Sequence, residues 1–311
     1  MHEVQLHIGT FTKSVLIDLA RTTGSLRRAG IDVWESSVVS SPAQFTSLDS
    51  GEFDLVMTSP DNVLAYRFLS QNPLHRNLRL EIVAAVDRGL GLSLCFAPSL
   101  ADIGSVRGQV VGVDVPQSGF AFVAYALLDR AGLRPGDYLV EALGSTPRRA
   151  SALIDGDCAA TVLNAGNELR AAGAGCTVIS QVSDLGPYLG TVLAAMMTPD
   201  PQVEASRLHL ADVLLETARE ILSGRWESEV IEASVSLLDL TVEEAQAHYS
   251  CLLDPRRGLV PDGIVDRASI STLLDLRRAY LPTPQLDLIA GALGTMVADR
   301  ALEESTCSDD E

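Results

Sequence analysis

Four short segments of this 311-residue chain place hydroxyl, amide and glycine residues directly after apolar runs. They are Gly9-Thr10-Phe11-Thr12-Lys13, Thr58-Ser59-Pro60-Asp61-Asn62, Gln117-Ser118-Gly119-Phe120 and Asn164-Ala165-Gly166-Asn167. Each reads as a junction where a strand ends and a helix begins. Ser59 before Pro60 has the pattern of an N-cap followed by a first-turn proline, and Ser118 that of a second N-cap. The unpaired N–H groups and positive ends of such helices suit a carboxylate, sulfonate or phosphate. Capping alone would account for each of these residues singly, so the reading as a ligand site rests on the four junctions converging.

Charged residues near these junctions extend the set. Arg88 follows an apolar run and either clamps a carboxylate bidentately or lies on the surface. Asp61, in the first turn of its helix, complements the helix dipole or meets a ligand amine or hydroxyl. Phe11 and Phe120 offer aromatic walls, while the helical spacing of Phe122 suits a core position. Lys13 is the single lysine among 23 basic residues. Schiff-base chemistry or charge pairing is open to it, and so is chance retention in an arginine-biased sequence. The candidate binding residues are therefore Thr10, Phe11, Ser59, Asp61, Asn62, Arg88, Gln117, Ser118, Gly119, Phe120 and Asn164. If the chain is a catalyst, proton transfer falls to His7, Lys13 or Asp61, with Arg88 as an electrostatic stabiliser.

No further catalytic set emerges. The sequence has no GxSxG, HExxH, Walker loop or helix-opening GxGxxG. His2, His75, His209 and His248 have no ligand spacing, and His7 is otherwise a core histidine. No metal and no cofactor are expected. The cysteines Cys95, Cys158, Cys176, Cys251 and Cys307 lack CxxC spacing and read as reduced thiols rather than a disulfide frame or zinc site.

The elements that must position these residues alternate regularly. Strands are expected at Val4 to Ile8, Ile31 to Val39, Asp54 to Met57, Leu80 to Val86, Leu92 to Phe96, Val110 to Val113, Tyr138 to Leu143, Ala160 to Leu163, Cys176 to Gln181 and Tyr188 to Met197. Helices are expected at Thr12 to Ala29, Pro42 to Ser50, Pro60 to Leu69, Ser118 to Ala131 and Thr146 to Ile154, with one more after the strand at Ala160 to Leu163, ending at Ala172. Such alternation indicates parallel or mixed sheets covered by helices on both faces. From Val203 the chain is almost wholly helical, with periods at Val203 to Leu222, Glu227 to Leu237, Thr241 to Leu253, Ala268 to Arg278 and Pro284 to Leu293.

The stretch Asp87-Arg-Gly-Leu-Gly-Leu-Ser-Leu-Cys-Phe-Ala97, with Val110-Val-Gly-Val-Asp-Val-Pro-Gln-Ser-Gly-Phe-Ala-Phe122, Ala159-Ala-Thr-Val-Leu-Asn164 and Gly51-Glu-Phe-Asp-Leu-Val-Met-Thr-Ser-Pro-Asp-Asn62, resembles the type II periplasmic-binding-protein family. The resemblance covers residues 3 to 200 and is closest to solute-binding proteins of ABC importers for nitrate, sulfonate, taurine and thiamine precursors. It implies an α/β, two-lobed clamshell with mixed sheets and a helical C-terminal region. Lobe one would comprise residues 1–87 and 188–311, and lobe two residues 88–187. The crossings near Val86-Leu92 and Gln181-Leu189 would form the hinge. The family also contains enzymes that make pyrimidine from pyridoxal phosphate, but their Cys-rich run is missing here.

A net charge of -18 argues against nucleic acid or an anionic membrane as partner. With 47% hydrophobic and 21% charged residues and no run of membrane-spanning length, a globular chain without membrane insertion is expected. The N-terminus lacks a basic, apolar and cleavage-site sequence, so the expected location is cytoplasmic, which disfavours an ABC permease as partner. The expected function is a clamshell closing on a small polar or anionic organic ligand, heteroaromatic ones included. The alternative is a cofactor-independent lyase, decarboxylase or dehydratase acting on a small organic acid in biosynthesis, as in relatives that decarboxylate dihydroxyphthalate or form menaquinone precursors.

Overall fold

The computed structural model describes residues 3–98, 100 and 102–302, so His2, Cys307 and the acidic tail lie outside the described residues. The chain opens with β1 (Val4–Thr10), α1 (Val15–Thr22), α2 (Ser25–Ala29), β2 (Ile31–Ser37), α3 (Ser41–Asp49), β3 (Leu55–Thr58), α4 (Pro60–Phe68) and β4 (Leu80–Asp87). It continues through β5 (Ser93–Phe96), β6 (Val110–Val113), α5 (Gly119–Arg130), β7 (Leu139–Ala142), α6 (Thr146–Asp155), β8 (Ala160–Leu163), α7 (Asn167–Gly173) and β9 (Thr177–Gln181). After β10 (Thr191–Met196) come only helices: α8 (Pro201–Leu222), α9 (Glu227–Leu238), α10 (Val242–Leu253), α11 (Arg267–Tyr280) and α12 (Leu286–Ala292), with short 3₁₀ turns.

The strands form two five-stranded mixed sheets, in the orders β2-β1-β3-β10-β4 and β7-β6-β8-β5-β9. In the first, β1 runs parallel to β2 and β3, while β10 is antiparallel to β3 and β4. In the second, β6 is parallel to β7 and β8, while β5 is antiparallel to β8 and β9. The chain passes between sheets twice, from β4 to β5 and from β9 to β10. Both passages are tight. A Cβ on Gly190 would lie 2.3 Å from the Gly89 Cα, so only glycine permits the two crossings to touch there.

Helices cover both faces of the first sheet. Leu6, Ile17, Leu19, Val33 and Leu214 pack on one side, and Val56, Val63, Leu64, Ile82 and Val192 on the other. Burial on both faces explains why β3 reads Leu-Val-Met-Thr, a continuous rather than alternating pattern. Leu94, Val111, Phe122, Val123 and Val162 form the core of the second sheet. The edge of β4 is covered by a strap: Val260 N donates to Val86 O at 2.9 Å, Arg88 N to Gly258 O at 2.8 Å and Leu90 N to Arg257 O at 2.8 Å.

Two features differ from the sequence reading. The single helix expected from Thr12 to Ala29 is two helices, because Gly24 adopts φ +76° between them. The C-terminal helices also do not attach to one sheet alone. In α11, Ile270, Leu273 and Leu274 enter the first core, whereas Leu276 and Tyr280 pack on the second. The Tyr280 ring meets Tyr125 of α5 edge-on at 5.7 Å.

Candidate functional site

Between the two sheets lies a cleft of about 960 Å³, counting the part open to solvent. Thr10 to Leu16, Met57 to Ser59, Asn62, Val86 and Asp87 line it from the first sheet, and Asp114, Ser118 to Phe120, Thr146, Arg149, Asn164 and Ala165 from the second. Gly190 and Thr191 lie at the crossing, and Leu238, His248, Leu252 and Leu259 close the far wall. Most of these groups sit at the carboxyl ends of strands, where connections to helices leave room for a ligand.

The polar wall is built from helix amino ends. The Ser59 hydroxyl accepts from Asp61 N at 3.2 Å and caps α4; the Ser118 hydroxyl accepts from Ala121 N at 3.3 Å and caps α5. Pro147 sits at the start of α6, where its missing N–H costs nothing. The ends of α4 and α5 nearly touch, since a Cβ on Gly119 would approach the Asp61 Cβ to 2.6 Å. The Asn62 amide donates to the Thr58 hydroxyl at 3.0 Å, which fixes its side chain at the mouth of β3.

Arg149 supplies a buried cation behind this wall. Its Nη1 donates to Gly144 O at 2.5 Å and its Nη2 to Thr146 Oγ1 at 3.1 Å and Val162 O at 3.2 Å, while Nε has no partner among the described residues. Burial pulls its pKa down to about 10, with Asp114 acting in the opposite direction, so it is charged at neutral pH. The two halves of the molecule meet across the cleft rim. The Asp114 carboxylate accepts from Ser41 N at 3.2 Å, Ser145 N donates to Val39 O at 2.9 Å, and the Asn167 amide donates to the Thr12 hydroxyl at 3.2 Å.

Backbone strain is concentrated here. Leu90 and Ala165 line the cleft with φ of 44° and 54°, and Ala165 N donates to Leu90 O at 2.9 Å. Left-handed backbone in such residues costs on the order of 1–3 kcal/mol and gathers at functional sites.

Of the residues singled out from sequence, Thr10, Phe11, Lys13, Ser59, Asn62, Ser118, Gly119, Phe120 and Asn164 come together around the cleft. The Lys13 ammonium is tied down, donating to Glu35 O at 2.8 Å. Four others require correction. Asp61 is no free cleft carboxylate: Arg277 Nε and Nη2 hold its two oxygens at 2.8 and 2.7 Å, and both side chains are 1% exposed. Arg88 points away from the cleft and pairs with Asp266 at 2.9 Å, leaving Asp87 as the cleft-facing residue of the pair. Gln117 is exposed and borders an adjoining hollow beside Tyr66, Asn72 and Leu281. His7 lies three residues before the end of β1, roughly 10 Å short of the cleft edge. Its Nε2 bonds to the Ser36 hydroxyl at 2.7 Å and its ring meets Phe53 edge-on.

Asp87, Asp114, Thr146, Arg149, His248 and the far-wall leucines were missed. Asp114 obeys the same strand-end rule that selected Ser59. Arg149 was visible only as one charge inside the buried stripe of α6, beside Ala150 and Leu153. Burial raises the Asp87 carboxyl to about 6 despite hydrogen bonds from Thr191 and Gly89. No group of side chains among the described residues has the makings of a metal site, and no described helix is long and apolar enough to cross a membrane.

No known protein-family profile matches the chain, and no curated protein matches it in sequence. Solved structures match closely in shape. The alkanesulfonate-binding protein SsuA from Xanthomonas axonopodis pv. citri, bound to MOPS, aligns with a TM-score of 0.73 at 15% identity over 96% of this chain and 99% of its own. The periplasmic nitrate-binding protein NrtA from Synechocystis PCC 6803 aligns at 0.72 and 12% identity, over 95% of this chain and 86% of its own. A Candida albicans gene product described as having the generic periplasmic binding protein fold aligns at 0.72 and 15% identity, over 96% and 98%. The alignments include the C-terminal helices, which the sequence resemblance did not cover. The chain has the two-lobed α/β fold of the type II periplasmic binding proteins.

Proposed function

We propose that this protein closes on a small organic anion with an apolar body, held between its two lobes. The observation that carries the reading is the convergence of the amino ends of α4, α5 and α6 on one cleft that the buried Arg149 and three leucines also line. Helix ends and a retained guanidinium favour a carboxylate or sulfonate. Phe11, Phe120, Leu238, Leu252 and Leu259 favour an apolar remainder. The likeness to an alkanesulfonate-binding protein supports the same ligand class, and that to a nitrate-binding protein supports an anion.

Such a binder either delivers its ligand to a permease or holds it inside the cell. The buried, free thiols of Cys95, Cys158, Cys176 and Cys251 favour a reducing compartment. A second reading, a cofactor-independent enzyme, is favoured by Asp87, whose carboxyl near 6 faces the cleft and suits proton transfer.

Thermal unfolding with a panel of matched sulfonates, carboxylates, amines and neutral analogues tests the main reading. At one hundred times its dissociation constant a true ligand raises stability by about 2.7 kcal/mol. Stabilisation by cations or neutral compounds alone, or by none of the panel, overturns it. Mass spectrometry of the protein purified from its host then separates the two readings. A ligand recovered unchanged after prolonged incubation leaves binding, whereas conversion abolished in Asp87→Asn leaves catalysis.

A further inference from the structure

We infer that the bound anion carries a second, uncharged hydrogen-bonding group at its end remote from the charge, and that His248 is the residue that recognises it. The inference rests on the anion-binding reading above and assigns the specificity of that same site.

The far wall of the cleft is apolar except at one point. Leu238 at the end of α9, Leu252 on α10 and Leu259 on the strap are hydrocarbon. His248 precedes Leu252 by four positions and so shares its face of α10. A leucine there would complete the wall; the chain has an imidazole. Its side chain lines the cleft, the residue is 1% exposed, and Nδ1 is buried without a partner among the described residues. Buried polar atoms are almost always paired, so an unpaired ring nitrogen on a residue that lines a ligand cleft points to a partner on the ligand.

The chemistry of that partner follows from the ring's surroundings. The helices packed on α10 are α7, α8 and α9, and burial alone, with no neighbouring charge, pulls the His248 pKa down to about 4. A neutral imidazole offers one N–H and one lone pair. It suits a hydroxyl, carbonyl, amide or ring nitrogen, and it gives no advantage to a second anionic group. The charge of the ligand is left to the helix ends, so the polar and apolar parts of the lining read the two ends of one molecule.

The experiment is calorimetry with straight-chain sulfonates and carboxylates of increasing length, each with and without a terminal hydroxyl, on wild type, His248→Leu and His248→Gln. At the chain length that spans the cleft, wild type is expected to prefer the hydroxylated member by roughly ten-fold, the usual scale of one buried hydrogen bond. His248→Leu is expected to reverse the preference and His248→Gln to retain it. A wild type that prefers the plain alkyl anion at every length overturns the inference while leaving anion binding intact, as does a preference unchanged in His248→Leu. No binding of any anion to wild type overturns the underlying reading and the inference with it. Should His248→Leu fail to fold, the wild-type preference and its retention in His248→Gln decide the question.

Discussion

One part of the cleft lining is the amino ends of α4, α5 and α6, whereas another is apolar, with leucines and one histidine from α9, α10 and the strap. The polar wall uses backbone N–H groups, and its side chains are occupied in holding that backbone in place. Ser59 and Ser118 cap their helices, Asp61 is clamped by Arg277, and Asp114 accepts from the first turn of α3. Such a wall is organised before any ligand arrives and, under the proposed function, suits a compact anion. The apolar side chains cap no helix end; Leu252 and Leu259 belong to the first core, and Leu238 packs against it. Under the proposed function the comparison teaches a division of labour: the charge of the ligand is met by backbone geometry, and its remainder by the apolar side chains.

The largest effect is expected from breaking the support of the polar wall. Arg277 lies over the Phe122 ring at 5.0 Å and binds Asp61 bidentately, fastening α4 to α11 beneath α5. Arg277→Met leaves an unpaired buried carboxylate and is expected to cost about 3–5 kcal/mol in chemical denaturation. The double variant Asp61→Leu with Arg277→Met removes both charges and is expected to recover much of that loss. Equal instability of the two would show that packing, not charge, holds the wall.

A second effect tests what lies behind the apolar wall. Glu168 is buried against Gly91, its Oε2 has no partner among the described residues, and burial raises its pKa from 4.5 to about 8 against backbone hydrogen bonds at Glu168 and Gly166 and the charge of Arg257. A raised carboxyl pKa means that the folded state holds a proton the unfolded state releases. The stability from this group is complete below pH 4.5 and is lost as pH rises through about 8. Asp87 adds a narrower loss that ends near 6. Denaturation across this interval is expected to show stability falling by an amount on the order of a few kcal/mol. Glu168→Gln is expected to flatten most of the slope, and an unchanged slope would place the titration elsewhere.

The same contrast explains what could be read from sequence. Strand-helix alternation and the cap residues are local signals, so the sheets, α5, α8, α9 and α10 were legible, as were Thr10, Ser59, Ser118 and Asn164. Whether a charged side chain faces a ligand or a partner across the fold is not local. Asp61 and Arg277 are 216 residues apart, and Arg88 and Asp266 are 178 apart, so no window contains either pair. His248 was invisible for a related reason. Its helix period marks it as buried, but only the tertiary fold brings α10 to a cleft formed by strands more than fifty residues earlier.

A smaller effect probes the caps themselves. Ser118→Ala removes the hydroxyl that accepts from Ala121 N and is expected to cost about 1 kcal/mol of stability. Anion affinity is expected to fall by less than ten-fold, because the backbone N–H groups and dipole of α5 remain. A loss of several orders of magnitude in calorimetry would mean that the hydroxyl itself contacts the ligand, and would blur the distinction between the two walls.

The smallest effect belongs to Arg88, the arginine whose position in the sequence suggested a ligand clamp. Its side chain is 27% exposed and that of its partner Asp266 22%, so solvent screens the pair and its contribution falls between about 0 and 1 kcal/mol. Asp266 does not depend on it. The carboxylate also caps α11, accepting from Ser269 N at 2.8 Å and from the Ser269 hydroxyl at 2.9 Å. Arg88 N, which donates to Gly258 O, keeps its place in the strap whatever the side chain. Arg88→Ala is therefore expected to leave anion affinity unchanged and stability within 1 kcal/mol of wild type. A ten-fold loss of affinity in calorimetry would mean that the hinge strap, and not only the two walls, is part of the binding surface.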